Sequence, residues 1–161
     1  MKKCMVMYSS STGNTEQMAQ AIAEQARKEG AEVVLCPASA LPAAELPTIT
    51  HWALGCSAHG VEELDGDEFL PALAQIEPYL RGKPVLLFGS YGWGAGAYVK
   101  PWEERTRLTG GELCGEGLCL RAHRRKRHWK KESNGRRSCW RSESSLFLWC
   151  QPAAFCDTLK A

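Results

Sequence analysis

The chain has 161 residues, of which 44% are hydrophobic and 24% are charged, and its formal net charge is +2 at pH 7. This composition is typical of one soluble globular domain, and it excludes a disulfide-rich scaffold and a chain of membrane-spanning helices. The apolar run after Lys2 and Lys3 is too short for a signal peptide, and the scattered cysteines have no zinc-site spacing. We therefore expect a cytoplasmic protein with reduced thiols and no metal site.

The first 120 residues alternate short apolar runs with helix-forming stretches. Hydrophobic periodicity predicts strands over 3–8, 32–36, 52–56, 84–89 and 112–120. It predicts helices over 15–29, 67–80 and 101–108. The run PVLLFG, residues 84–89, is apolar throughout, which indicates a strand buried on both faces. The alternation predicts an α/β fold with a parallel sheet covered by helices on both sides.

The stretch SSSTGNT, residues 9–15, lies between the first strand and the first helix and is called the hydroxyl loop here. Unpaired N–H groups and the helix dipole attract an anion at such a position, and Gly13 lets the backbone come close to a ligand. No lysine follows and no G-x-G-x-x-G occurs, so the pattern favours a phosphate monoester over a nucleoside triphosphate or a dinucleotide. A serine-rich helix cap is the alternative.

Two further loops follow strands of the same predicted sheet. Residues 56–63, the histidine loop, contain His59, and residues 89–97, the tryptophan loop, place Tyr91 and Trp93 among four glycines. The carboxyl ends of parallel strands meet at one edge of a sheet, where ligands bind. Together with the hydroxyl loop, these loops predict a site that holds a phosphate and stacks a flat aromatic ring.

The segments YSSSTGNTEQMA and GSYGWG, with the spacing between them, closely resemble short-chain flavodoxins over residues 1 to about 120. The resemblance implies a flavodoxin-like, doubly wound, five-stranded parallel sheet of strand order 2-1-3-4-5. It implies noncovalently bound FMN and a low-potential one-electron carrier, not an enzyme, that shuttles electrons between a reductase and an acceptor docked near the flavin edge. An FMN-dependent reductase of a small acceptor is the alternative, although Trp93 would obstruct a substrate pocket over the flavin.

The resemblance also implies roles for individual residues. Those that would hold the FMN phosphate are Ser10, Ser11, Thr12, Gly13, Asn14 and Thr15. Those that would line the inner face of the flavin are Ala58, His59 and Gly60. Those that would follow its pyrimidine edge are Ser90, Tyr91, Gly92 and Gly94, while Trp93 would stack on the outer face. Gly60 matches the residue whose peptide turns over when flavin N5 gains a proton, and the stiff Val61 would make that change costlier.

An acidic stretch begins within the histidine loop and runs beyond it, comprising Glu62, Glu63, Asp65, Asp67 and Glu68. One interpretation is an acidic rim that repels a reduced, anionic flavin and docks basic partner proteins. The other is a solvated loop that leads into a helix start, where acidic residues suit the dipole. The two interpretations are compatible.

The resemblance ends near residue 120, which we take as the boundary between an FMN-binding domain, 1–120, and an anomalous tail, 121–161. The tail contains 11 Lys and Arg residues against 3 Asp and Glu, whereas residues 1–120 contain 9 against 15. One interpretation is a basic arm for nucleic acid, in which His128, Trp129 and Trp140 stack on RNA.

Two other interpretations of the tail compete with the basic arm. The segment 144–161 could form an ordered replacement of the family's last helix, or the tail could be a frame-shifted reading of the gene. We favour the frame shift because the composition changes abruptly in mid-element. We therefore expect the last helix to be missing or replaced. Without a covering helix, one face of the first and last strands would expose apolar surface.

Overall fold

The structure, a computed structural model, describes residues 1–122 and 153–160. Its strands are β1 (Lys3–Ser9), β2 (Glu32–Pro37), β3 (His51–Cys56), β4 (Pro84–Tyr91), β5 (Glu112–Leu113) and β6 (Leu118–Arg121). All strand pairs are parallel, and the order across the sheet is β2-β1-β3-β4-β5, with β6 also paired to β4. The predicted fold class and strand order are confirmed.

The helices lie on both faces of this sheet. They are α1 (Asn14–Lys28), α2 (Phe69–Ile76), α3 (Val99–Leu108) and α4 (Ala153–Lys160), with short 3-10 turns at Ala38–Ala40, Ala43–Thr48, Glu77–Tyr79 and Gly94–Gly96. Within residues 1–122 and 153–160, every helix is too short or too polar to cross a lipid bilayer. The predicted helix 67–80 is shortened to α2 plus a 3-10 turn because Pro78 has no N–H group to continue the α-helical ladder.

Successive side chains of β1 point to opposite faces of the sheet and so pack into two separate hydrophobic cores. Cys4 and Val6 face α1 and α4, whereas Met5 and Met7 face α2 and α3. Every residue of β3 is buried, as expected for a central parallel strand. Each large apolar side chain that such a strand removes from water contributes about 1.5–3 kcal/mol to folding.

The predicted fifth strand, 112–120, is interrupted, so its two parts form β5 and β6. Gly115 takes a left-handed φ of 111° in the gap. The N–H of Gly117 donates to Oε1 of the buried Glu103 at 2.6 Å, and Val99 of α3 occupies the space that a Cβ at Gly117 would need. The break therefore comes from tertiary contacts with α3, which strand periodicity does not encode.

Helix α4 covers the α1 face of the sheet. Phe155 and Leu159 are buried in the core that contains Cys4 and Val6. Lys2 Nζ donates to the carbonyl oxygens of residues 158 and 159 at 2.9 and 3.0 Å, which neutralises the carbonyl end of the helix.

The last helix is therefore replaced by α4, which covers β1, and the apolar exposure expected without a covering helix does not arise on that strand. Leu118 and Leu120 of β6 are partly buried against the same core. The proposed nucleic-acid residues His128, Trp129 and Trp140 lie outside the described residues. The boundary at residue 120 and the frame-shift hypothesis stay predictions.

Replacing Phe155 by Ala tests whether α4 covers the sheet. We expect the free energy of unfolding to fall by about 3–5 kcal/mol, because a fully buried aromatic side chain is removed from the core. Urea denaturation would measure the change. Asp157→Ala, on the exposed side of the same helix, is the matched control and should change stability by less than about 0.5 kcal/mol. Equal stabilities of both variants and the parent chain would contradict the packing of α4.

Candidate functional site

The hydroxyl, histidine and tryptophan loops leave the carboxyl ends of β1, β3 and β4 side by side. The N–H of Ser57 donates to the carbonyl oxygen of Ser9 at 3.1 Å, and the N–H of Ala58 donates to that of Ser90 at 2.9 Å. These bonds continue the strand pairing into the loops. The three loops predicted to form one site are therefore neighbours.

The hydroxyl loop presents a row of free backbone donors. Gly13 has a left-handed φ of 84°, and no side chain caps the start of α1. The N–H of Gly13 donates to Ser10 Oγ at 3.1 Å, and Asn14 Nδ2 donates to Thr12 Oγ1 at 2.9 Å. Within the described part of the chain, the remaining N–H groups of this turn have no acceptor; they belong to Ser11, Thr12, Asn14, Thr15 and Glu16.

Two predicted ligand hydroxyls are instead buried beneath the loops. Thr15 Oγ1 and Ser90 Oγ form a hydrogen bond of 2.9 Å, and both side chains are inaccessible to solvent or nearly so. The two hydroxyls pair with each other and so are not free for a ligand. Ser11 Oγ lies 3.4 Å from Ser57 Oγ, which links the hydroxyl loop to the histidine loop. The ligand roles of these residues stay predictions.

The histidine loop is a closed turn. His59 and Glu63 exchange two backbone hydrogen bonds of 2.9 Å, and Gly60 has a φ of 50° between them. His59 Nδ1 lies 3.0 Å from the carbonyl oxygen of Ser57, so the Nδ1–H donates there and Nε2 stays available. The half-buried imidazole is therefore oriented by its own loop.

The tryptophan loop holds one aromatic ring outward and one inward. Trp93 is 61% exposed, whereas Tyr91 is half-buried against the α2–α3 core. Gly94, Ala95 and Gly96 have left-handed φ values of 75°, 57° and 75°. Of these two aromatic residues, only Trp93 has a ring open to solvent. The ring of Tyr91 packs under the loop against the core.

Glu62 joins two of the loops, and sequence reasoning placed it only in an acidic rim. Its Oε2 accepts the N–H of Ala97 at 3.1 Å, while its Oε1 is buried without a hydrogen-bond partner. An unpaired buried carboxylate oxygen is costly unless a donor reaches it. The sequence offers no local signal for this contact, because the two residues lie 35 positions apart.

Asp65 is buried, and it is not part of an exposed acidic rim. Its carboxylate accepts Ser9 Oγ at 2.7 Å and the N–H groups of Asp67 and Phe69 at 3.0 and 3.3 Å. Burial by itself would raise the pKa of the Asp65 carboxyl, but hydrogen bonds from Ser9 and two backbone N–H groups, with His59 nearby, hold that pKa below its ordinary range. Asp65 therefore ties the end of β1 to the start of α2.

The residues present fit a phosphorylated flat ring. Several free N–H donors and the α1 dipole suit a phosphate, and open space lies beside Gly13, Gly60 and Gly92. The exposed indole of Trp93 suits a heterocycle, and the unpaired Oε1 of Glu62 suits a ring N–H donor. The three loops contain no Lys or Arg, so the phosphate would be held by neutral dipoles.

Comparison with known proteins decides the family. The sequence model of the flavodoxin family matches residues 6–132. This chain belongs to the flavodoxin family. The flavodoxin of Megasphaera elsdenii is 37% identical over 113 residues, which cover 70% of this chain and 82% of that relative. The flavodoxin of Clostridium beijerinckii is 43% identical over 100 residues, which cover 62% and 72%.

A solved flavodoxin structure agrees with the fold. The solution structure of two-electron reduced Megasphaera elsdenii flavodoxin has a TM-score of 0.67 and 36% identity, and the match covers 72% of this chain and 85% of that one. As a member of the flavodoxin family the chain is an electron carrier, and the family implies FMN as its cofactor. Flavodoxins act with redox partner proteins.

Asp65→Asn tests the buried carboxylate of this flavodoxin site. The folded-state pKa lies below the unfolded one, so this group's contribution to stability is complete above about pH 4 and is lost as pH falls through the folded pKa. The side-chain amide of asparagine would place its own N–H group against these donors. We expect the free energy of unfolding to fall by about 1–3 kcal/mol at pH 7, and to depend less on pH in the acid range than in the parent.

Urea denaturation of the parent and Asp65→Asn at several pH values measures this difference. Asp67→Asn, an exposed neighbour, is the control and should keep the parent's stability at neutral pH. An Asp65→Asn variant whose stability falls with acid as steeply as the parent's would contradict the assignment.

Proposed function

We propose that this chain binds FMN noncovalently at the three loops and carries single electrons at low potential between partner proteins, with no substrate of its own. The observation that carries the proposal is the row of free N–H donors at the start of α1, which the Thr15–Ser90 hydrogen bond joins to the loop that carries the exposed Trp93. A phosphate monoester joined to an aromatic ring system is the ligand that uses both features.

The hydroxyl loop would hold the phosphate group. Backbone N–H groups of this turn other than that of Gly13 would donate to its oxygens, with the hydroxyls of Ser10 and Thr12 nearby. Neutral dipoles fixed in advance bind an anion without adding a compensating positive charge. The interior hydrogen bond between Thr15 and Ser90 would keep this loop against the tryptophan loop.

The other two loops would hold the ring. FMN supplies an isoalloxazine ring that accepts and releases electrons one at a time. Trp93 would exclude water from its outer face, and the histidine loop would cover the inner face with His59. The Oε1 of Glu62 would accept a hydrogen bond from a ring N–H, and the carbonyl oxygen of Gly60 would accept one from N5–H of the ring.

The charges around the site support a low potential. The three loops contain Glu62 and Glu63 but no Lys or Arg. A half-buried carboxylate beside the ring raises the free energy of an added negative charge, because the local dielectric constant is lower than that of water. The chain would therefore hold its second electron weakly.

A partner surface surrounds the same site. Val61 of the histidine loop is 79% exposed and Trp93 of the tryptophan loop is 61% exposed, and Glu63, Asp67 and Glu68 are also exposed. An apolar centre with an acidic rim suits partner proteins with a basic rim. We infer that a reductase and an acceptor dock there in turn, at the flavin edge.

Titration of the chain with FMN and with riboflavin tests the phosphate site. We expect quenching of both tryptophan and flavin fluorescence by FMN, and binding of riboflavin weaker by about 100-fold or more, because several charge-assisted hydrogen bonds are lost. Trp93→Ala should reduce the tryptophan quenching and weaken both ligands. Equal affinities for FMN and riboflavin, or no binding of FMN, would contradict the proposal.

Addition of NADPH or NADH to the FMN-loaded chain separates a carrier from a reductase. We expect the flavin absorbance near 450 nm to stay unchanged for about as long as a flavin-only control, since Trp93 would block hydride transfer to the ring. A catalytic amount of a flavodoxin reductase should then bleach it. Rapid bleaching without the partner would support a reductase instead.

A further inference from the structure

One carboxylate connects the histidine loop to the tryptophan loop. Glu62 Oε2 accepts the N–H of Ala97 at 3.1 Å, and the same N–H lies 3.3 Å from the carbonyl oxygen of Gly94. A charge-assisted acceptor is the stronger of the two partners. The end of the tryptophan loop is therefore fixed partly by a residue of the other loop.

The carboxyl group of Glu62 lies directly against Gly94. A Cβ added at Gly94 would overlap the carboxyl group of Glu62, and its φ of 75° also favours glycine. Ala95 follows with a left-handed φ of 57°, which an alanine rarely adopts. Contacts from outside the loop must hold this conformation, and the bond from Glu62 to Ala97 spans it.

Glu62 is itself held in a set position. It has a left-handed φ of 59°, inside the turn that the two hydrogen bonds between His59 and Glu63 close. Gly60 and Val61 precede it in the same turn. A change in the peptide between Gly60 and Val61 would therefore move the carboxylate that anchors Ala97.

We propose that Glu62 is a positioning residue that couples the two loops, so that a backbone change at Gly60–Val61 is transmitted to Ala97 and to Trp93. The link is present in the chain itself and needs no ligand. Its consequence for electron transfer rests on the proposed function, because only then do both loops flank a flavin. A backbone change at Gly60–Val61 would therefore be accompanied by a change at Trp93.

Hydrogen exchange of the Ala97 amide in the full chain without FMN tests the link. We expect Glu62→Ala to speed this exchange by about tenfold or more, because a charge-assisted hydrogen bond is lost. Glu62→Gln retains an acceptor oxygen and should stay within about threefold of the parent. Glu63→Ala, an exposed neighbour in the same turn, is the matched control and should leave the exchange rate unchanged.

Gly94→Ala provides a second route to the same test if Glu62→Ala folds poorly. Its Cβ would displace the Glu62 carboxylate, so faster exchange of the Ala97 amide is expected there also. An exchange rate in both Glu62→Ala and Gly94→Ala that equals the parent's would overturn the proposal.

Transmission between the loops has its own readout. We expect Val61→Gly to shift the indole N–H resonance of Trp93 in the parent chain and to lose that effect in a Glu62→Ala background. An equal shift in both backgrounds would contradict coupling through Glu62. FMN titration of the same samples distinguishes the two proposals. If the chain does not bind FMN but the Trp93 shift still depends on Glu62, only the proposed function is contradicted.

Discussion

The first turn of α1 is the constraint on which this site depends. A helix that begins at the carboxyl edge of a parallel sheet leaves N–H groups without acceptors, and Gly13 ends the preceding loop without a side-chain cap. Hydrogen bonds between Thr15 and Ser90 and between Ser11 and Ser57 join this turn to the two neighbouring loops. The absence of lysine and arginine from all three loops makes this dipolar end the main attraction for an anion.

Buried polar contacts hold the three loops at fixed separations. Ser9 donates to Asp65, and the hydroxyl of Tyr98 donates to the carbonyl oxygen of Cys56 at 2.8 Å. A Cβ at Gly89 would overlap both Tyr98 and Cys56, so glycine is required where β3 and β4 end. Since satisfied polar groups in a dry interior are hard to rearrange, the loops are organised before any ligand arrives.

Periodicity and turn chemistry predicted the alternating strands and helices and the three loops that prove to be neighbours, while the strand order came from the family resemblance. They could not predict contacts between distant residues. The gap between β5 and β6 depends on Glu103 of α3, the burial of Thr15 and Ser90 depends on their pairing, and the role of Glu62 depends on Ala97. Each case joins residues at least 14 positions apart, which a local pattern cannot contain.

The tail shows a different limit of sequence reasoning. The abrupt change in composition favoured a frame shift over an ordered replacement helix, yet Phe155 and Leu159 of α4 are buried against that face. Phe155 and Leu159 have the i, i+4 spacing of a helix face, a local signal that the average composition of residues 121–161 conceals. Composition therefore describes a segment poorly when one helical turn makes the contact.

The central claim is that neutral backbone donors at the start of α1 bind the phosphate of a flavin nucleotide. Amide resonances of the full chain, recorded with FMN and with riboflavin, test it most directly. The account predicts that amides of residues 11–16 shift strongly with FMN and little with riboflavin, while those of the tryptophan loop respond to both. Unmoved amides at residues 11–16 in the FMN-saturated chain would contradict it.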